Sequence, residues 1–456
     1  MKALLVTYSF PPAGGVGVLR ATSLARYFPE EGIELDVLTA RNASAVGLDS
    51  ELLKDIPNEV IIHRTLTLDL PFGIKKWIKN RITGRNTPSD TQRSGAERGK
   101  PTFLKRILQD LLLPDPQVTW LPTLTRNARR IISQRNIEIV LVTVPPFSSL
   151  LLVEQLRKSF PDLPIVVDFR DEWLSSTIDL VSFSRSERAI RVAHQTEASA
   201  VVNATLVVAV TEPALQILRS RYPQEERDKF HIIPNGFDAT RLRRACSPRN
   251  VPPDGHVLVT FVGTLYGSNE PTALVEAVQT LPREIKNMLR LRFIGRIENP
   301  LFRAHLSQLG KIVELRPFLP QTEALAVLSE SDYALLITHD PVNVAAKFYD
   351  YVGSRKPILA AIHPTGAVRR LLEEMRAGWW ADSQNVESIR KLFIDAVARR
   401  DSLDINFRPD AERIAQYERK VLAQKYADLL RSAVGQSRDH EEYLRISRAD
   451  MASAGE

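Results

Sequence analysis

Short β-branched or apolar runs alternate with amphipathic helical patterns along the whole chain, and the series runs through twice. Strands that alternate with helices build βαβ units, whose crossovers lay the strands parallel in sheets covered on both faces. The predicted fold class is therefore α/β. The first series predicts strands at Ala3–Tyr8, Glu34–Thr39, Val60–His63, Ile137–Thr143, Ile165–Phe169, Leu206–Val210 and Phe230–Pro234, with helices such as Val18–Phe28 and Leu150–Phe160 between them. The second predicts strands at Val257–Gly263, Arg290–Gly295, Ile312–Arg316, Tyr333–Thr338 and Pro357–Ala361. Between them Arg241–Gly255, broken by Pro248, Pro252 and Pro253, marks the expected boundary of a first domain over 1–243 and a second over 244–410. Each series suffices for a Rossmann-like sheet of its own, and open α/β sheets bind ligands beyond the carboxyl ends of their strands. Two such sheets imply a cleft between them. Apolar residues at 414, 417, 421, 422, 426 and 429 predict one long helix over Ile414–Leu430, ahead of a loose polar tail from 435.

Composition narrows the class. With 456 residues, 44% of them apolar and 25% charged, the chain reads as a soluble globular protein whose core needs no covalent staples. Cys246 is the only cysteine, which excludes an intramolecular disulfide and Cys-based zinc or iron–sulfur sites. The opening apolar run stops at Pro11-Pro12 with no cleavage pattern, so no signal peptide is expected. The most apolar window, Ile139–Val153, is interrupted by Pro145-Pro146 and is shorter than the roughly 20 residues that span a bilayer. A cytoplasmic location follows as an expectation. The net charge of +7 is concentrated, because Pro71–Arg135 holds 14 Lys and Arg against 4 Asp and Glu. There Ile74, Trp77 and Ile78 lie among Lys75, Lys76 and Lys79, and Phe103, Leu104, Ile107, Leu108 and Leu111 recur at helical spacing. Such a stripe suits either an interfacial helix on an anionic leaflet, which would make the protein peripheral on the inner face of the plasma membrane through 72–113, or a helix packed on the core. Residues 85–100 read as a disordered insertion. No nucleic-acid partner is expected.

Several segments carry chemistry. After the first strand, Gly14, Gly15 and Gly17 lead into a helical pattern, where glycines let a ligand approach backbone N–H groups at a helix N-terminus. A tight structural turn is the alternative, and as a dinucleotide fingerprint the segment fails, since Arg20 stands at its third glycine position and no acidic residue follows the second strand. At the end of the fifth predicted strand comes Asp168-Phe169-Arg170-Asp171-Glu172-Trp173. Asp168 is expected to be structural; Arg170 and Asp171 are expected to project into the cleft, with a surface ion-pair cluster as the alternative. Lys347 and Asp350 lie three apart and so on one helical face, where they could address phosphate and ribose of one nucleotide or pair with each other. The eight histidines show no ligand spacing, and D-x-D, G-x-S-x-G and G-x-x-x-x-G-K-[ST] are all absent. No metal site and no cofactor are expected.

Taken in order, Tyr8 to Gly17, Asp168 to Trp173, Ile233-Pro234-Asn235-Gly236-Phe237-Asp238, Phe261-Val262-Gly263 and Lys347-Phe348-Tyr349-Asp350-Tyr351 through Lys356-Pro357-Ile358-Leu359 resemble the ordered motifs of the family-four glycosyltransferases over roughly residues 1 to 430. The resemblance implies a GT-B architecture, with the acceptor held by the first domain, a nucleoside diphosphate sugar by the second, retention at the anomeric carbon, and a C-terminal helix crossing back to the first domain. It implies donor-binding roles for Gly14, Gly15, Gly17, Gly263, Arg296, Lys347 and Asp350, and catalytic roles for Asp171 and Arg170. The implied partners are a nucleotide sugar and a glycan or lipid-linked acceptor, as in cell-surface polysaccharide assembly. Two departures stand out. The family commonly has paired glutamates eight positions apart, whereas Val342 stands at the first place and Asp350 at the second; and Thr264–Glu276 lacks the cation that often follows the second domain's first strand. A sugar-nucleotide epimerase of the same architecture and a non-catalytic partner subunit remain open beside the transferase.

Overall fold

The computed structural model describes residues 1–43, 47–67, 112–175, 186–245, 255–265, 272–402 and 407–435. The expected insertion at 85–100, nearly all of the basic stripe at 72–113, Cys246 and the tail beyond 435 lie outside the described residues.

Seven strands form the first sheet: β1 (Lys2–Val6), β2 (Glu34–Ala40), β3 (Ile61–Thr65), β4 (Ile139–Val144), β5 (Ile165–Phe169), β6 (Leu206–Ala209) and β7 (Phe230–Ile232). Six form the second: β8 (Val257–Leu265), β9 (Leu289–Ile297), β10 (Val313–Arg316), β11 (Tyr333–Thr338), β12 (Ile358–Ile362) and β13 (Gly378–Asp382). The orders are β3-β2-β1-β4-β5-β6-β7 and β10-β9-β8-β11-β12-β13, and neighbours pair in parallel throughout. All twelve expected strands form within two residues of their expected ends, and β13 is the addition. Its sequence, Gly-Trp-Trp-Ala-Asp, has no alternation for a half-buried edge strand to display.

Period-two alternation sends side chains to opposite faces. Leu4 and Val6 of β1 join one core cluster while Ala3 and Leu5 join another, and Tyr333, Leu335 and Ile337 of β11 are likewise separated from Ala334 and Leu336. Every one of these residues is buried on both sides of a helix-covered sheet.

The junction between domains differs from the expected 243/244 boundary. Phe237, Leu242 and Ala245 pack into the second domain's cluster, so the chain changes domain near 236 and the helix Ala239–Ala245 already belongs with the second. The expected single helix over Ile414–Leu430 is also divided. A short helix, Ala411–Ala415, ends before residue 418 bridges in parallel to Phe237, and a second helix runs over 419–435. That second helix returns to the first domain, placing Leu422, Ala423, Tyr426, Ala427 and Leu430 in the cluster that holds Leu5, Phe28 and Ile139.

Arg20, the residue that spoils the dinucleotide fingerprint, binds these parts together. Its guanidinium donates to both oxygens of Asp168 at 2.9 and 2.8 Å and to the carbonyls of Ile233 and Pro234 at 2.9 and 2.8 Å, and it lies over the Tyr426 ring. Asp168, fully buried in β5, also accepts from Thr143 Oγ1 at 2.9 Å. It has the structural role expected of it. Among the described residues no helix is long and apolar enough to cross a membrane.

Candidate active site

The carboxyl ends of the two sheets face each other across a cleft of about 500 Å³. From the first domain it is lined by Gly15, Val16 and Gly17 after β1, Pro145 after β4, Arg170 and Asp171 after β5, and the loop after β7. From the second come Gly263, Gly295, Phe318, Gln321, Asp340 and Asn343, with Lys347 and Asp350 of the helix Ala346–Gly353; Arg419 and Tyr426 close one side. Much of the wall lies at or beyond the carboxyl ends of strands, which is where an open α/β sheet leaves loops free to hold a ligand.

Lys347 and Asp350 enter this cleft and do not pair with one another. The Lys347 ammonium sits 3.8 Å from the centroid of the Phe261 ring, and no carboxylate of a described residue reaches it. Burial disfavours the charged form and brings its pKa down to about 7. Gly263 makes the room: at φ +135° it adopts backbone that suits glycine, and a Cβ there would lie 2.9 Å from the Lys347 Nζ. Asp350 accepts from Gln321 Nε2 at 3.1 Å and lies 4.0 Å from Arg419. Burial raises its pKa against the opposing pull of Arg419 and Gln321. No side chain caps the N-terminus of this helix. Its first turn therefore offers open amides, an ammonium and, one turn on, a carboxylate.

On the opposite wall the expected residues divide. Arg170 borders the cleft, but its guanidinium is occupied by backbone: Nε donates to the Val144 carbonyl at 3.1 Å, and Nη1 and Nη2 take those of Gly17 and Pro145. It is half-buried at the cleft and is not part of a surface ion-pair cluster; three of its five donors hold the glycine loop against the end of β4. Gly14 also departs from its expected place. Its N–H donates to the Gly47 carbonyl at 2.8 Å, a Cβ on it would lie 3.2 Å from the Asp49 Cβ, and it does not line the cleft, whereas Gly15 and Gly17 do. Asp171 faces the cleft with no hydrogen bond to any described residue. Burial raises its pKa, Arg170 opposes that rise, and Asp340 across the cleft adds to it.

Arg296 does not itself line the cleft. It lines an adjoining cavity of about 150 Å³ with Arg303 and Arg316, which shares Gly263, Ile294 and Gly295 with the cleft. Val342, standing where the family has a carboxylate, is no vacant slot in the cleft. Its side chain packs on the first domain's core and its carbonyl accepts from Thr211 Oγ1 at 2.9 Å. Sequence reasoning missed Asp340, Asn343, Gln321, Arg419 and Tyr426. Asp340 had a signal, since it stands two residues beyond the end of β11; its oxygens accept from the amides of Val342 and Asn343 at 2.8 and 3.0 Å and from Asn343 Nδ2 at 2.9 Å. Asn343 lies in the same loop and shares that signal, whereas Gln321, Arg419 and Tyr426 are brought to the cleft by tertiary contact. Among the described residues no group of three or more His, Cys, Asp or Glu is placed to hold a metal ion.

Comparison with known proteins bears on the fold. Residues 87–241 match the family model described as Glycosyltransferase Family 4. No curated protein sequence matches the chain. Among solved structures the chain is similar to the sucrose-phosphate synthase of Thermosynechococcus elongatus, at 15% identity and a TM-score of 0.65 over 95% of this chain and 99% of that one. Anabaena HepE in complex with UDP gives 14% identity and a TM-score of 0.59 over 95% and 100% of the two chains. WaaG, a glycosyltransferase involved in lipopolysaccharide biosynthesis, gives 13% and 0.58 over 94% and 99%. With two parallel α/β domains about one cleft and a helix that returns from the second to the first, the chain has the GT-B glycosyltransferase fold, and its first domain carries the family-four match.

Proposed function

We propose that the protein is a glycosyltransferase that moves a sugar from a nucleoside diphosphate sugar to an acceptor hydroxyl, with retention and without an essential metal ion. The observation that carries this reading is the uncapped helix Ala346–Gly353, which presents Lys347 and Asp350 to the cleft opposite Gly15 and Gly17. The Lys347 ammonium and the open amides would neutralise charge on the diphosphate as it leaves, where fixed donors act most strongly. Asp350 would accept from ribose hydroxyls. Asp171, on the acceptor side, would orient or deprotonate the attacking hydroxyl. The UDP-bound neighbour supports a nucleotide donor for this chain.

The test is binding of UDP, GDP and ADP by calorimetry, followed by transfer assays in excess chelator. At least one diphosphate should bind, and Asp350→Ala should weaken it by about 10- to 150-fold, the worth of a charge-assisted hydrogen bond. Equal affinity in variant and parent removes the ribose role. A sugar product epimerised but not transferred would favour the epimerase, and activity only with added divalent metal would defeat the metal-free reaction.

The acceptor is proposed to be a glycan on a lipid carrier, at the cytoplasmic face of the membrane. What supports it is the apolar, Lys-rich segment 72–113 in the first domain's sequence. Flotation with liposomes should rise with anionic lipid and fall with salt. Binding indifferent to lipid charge sinks the membrane reading.

A further inference from the structure

Asp350 is not held by the donor site alone. Its Oδ2 accepts from Gln321 Nε2 at 3.1 Å, and the other end of the same amide, Oε1, accepts from Arg241 Nη1 at 3.3 Å. Arg241 Nη2 then donates to Asp55 Oδ2, a carboxylate of the first domain. Asp55 also lies 3.8 Å from Arg26, which binds Asp238 at 3.0 Å, and the Asp238 carboxylate accepts from the Arg241 amide at 2.9 Å. Arg241 and Asp55 are 8% and 12% exposed, so this chain of contacts runs where solvent screens it little.

We propose that Gln321 is a positioning residue that links Asp350 in the donor site to the ion-pair contact between the two domains through Arg241 and Asp55. The inference rests on the reading of Asp350 as the ribose carboxylate. A primary amide suits the position because it accepts at one end and donates at the other. The guanidinium fixes which end is which: Oε1 must face Arg241, so Nε2 must face Asp350. A glutamate would keep the Arg241 contact but leave Asp350 facing a second carboxylate, and a leucine would serve neither neighbour. With Gln321 in place the Asp350 carboxylate is held in one orientation before a nucleotide arrives, leaving its remaining lone pairs for the ribose. Preorganisation of this kind improves affinity by removing the cost of ordering the group on binding. The arrangement is also reciprocal, because any free energy by which the domain contact favours ribose binding must equal that by which ribose binding favours the domain contact.

The experiment compares each diphosphate that binds with its 2′,3′-dideoxy counterpart by calorimetry, in the parent, Asp350→Ala, Gln321→Leu, Gln321→Glu and Asp55→Asn proteins. The parent should prefer the ribonucleotide by about tenfold or more. Gln321→Leu and Gln321→Glu should lose most of that preference by weakening the ribonucleotide while leaving the dideoxynucleotide unchanged, an effect that a merely structural role would not confine to the ribose. Asp55→Asn, which alters no residue lining the cleft, should lose part of it. The pair Asp55→Asn with Gln321→Leu should lose no more than Gln321→Leu alone, since both cut one chain of contacts. If Gln321→Leu is too unstable to measure, Gln321→Glu and Asp55→Asn carry the test. Full preference retained in the Gln321 variants, with Asp350→Ala losing it, overturns the link and leaves the ribose reading intact. No preference in the parent overturns both.

Discussion

Turnover of the Asp171→Asn protein is expected to fall about 10²- to 10⁴-fold, the usual worth of a positioned acid or base, with nucleoside diphosphate affinity nearly unchanged. Asp171 stands two residues beyond the end of β5, faces the cleft, and is committed to no hydrogen bond with a described residue, so its carboxylate is available to a substrate hydroxyl. Asparagine keeps the shape and removes the proton acceptor. The pH profile gives a second reading. Burial and Asp340 push the Asp171 pKa above the ordinary carboxylate range, and the ionised form is the one required. The acidic limb of the parent's kcat profile should therefore lie above that of a free aspartate, and the limb should vanish in the variant. A loss confined to donor affinity would move Asp171 to the other wall of the cleft.

The second large effect is expected at Lys347, where binding and stability should change in opposite directions. Lys347→Met removes the cation that would face the diphosphate, for a loss of about 10- to 150-fold in affinity. The same change places an apolar chain against Phe261 where the parent must accommodate an ammonium. The folded pKa near 7 lies below the unfolded value near 10.5, so between these the unfolded chain binds the extra proton and the parent's stability rises with pH. Below pH 7 that contribution is lost, and the Met variant should melt higher than the parent at pH 6. Diphosphate binding carries the opposite slope: the anion favours the ammonium, so the parent's affinity should be strongest below pH 7 and weaken above it, while the variant's stays flat. A Met variant that melts lower at pH 6, or a parent affinity independent of pH, contradicts this account.

These predictions depend on positions that were legible to different degrees in the sequence. Strands such as β1, β5 and β11 were, because a two-sided buried strand needs an apolar run of limited length and its flanks carry turn residues. Lys347 and Asp350 were legible as a pair on one helical face, but their separation was not: only the approach of Phe261 and Gly263 from β8 draws the ammonium one way, and Gln321 draws the carboxylate another. Arg170 shows the converse. A cation at the end of a strand invites a catalytic reading, yet carbonyls left open at the end of β4 and in the glycine loop take three of its five donors. Arg20 looked like a defect in a glycine motif and proves to be a tether, because its hydrogen-bond partners lie 148 to 214 residues away along the chain. Period and turn chemistry report local preferences; none of them reports which distant carbonyl a guanidinium will find.

The division of the predicted C-terminal helix has a mechanical consequence. The chain passes between the domains twice, near 236 and again near 417, and the two passages are hydrogen-bonded side by side: the Phe237 amide donates to the Tyr417 carbonyl at 3.1 Å, and the Arg419 amide to the Phe237 carbonyl at 2.8 Å. Their approach is so close that a Cβ on Gly236 would lie 2.2 Å from the Tyr417 carbonyl oxygen. A single passage would act as a universal joint, leaving one domain free to swivel on the other. Two passages hydrogen-bonded to each other tie the domains through a double connection, held at residues 237, 417 and 419.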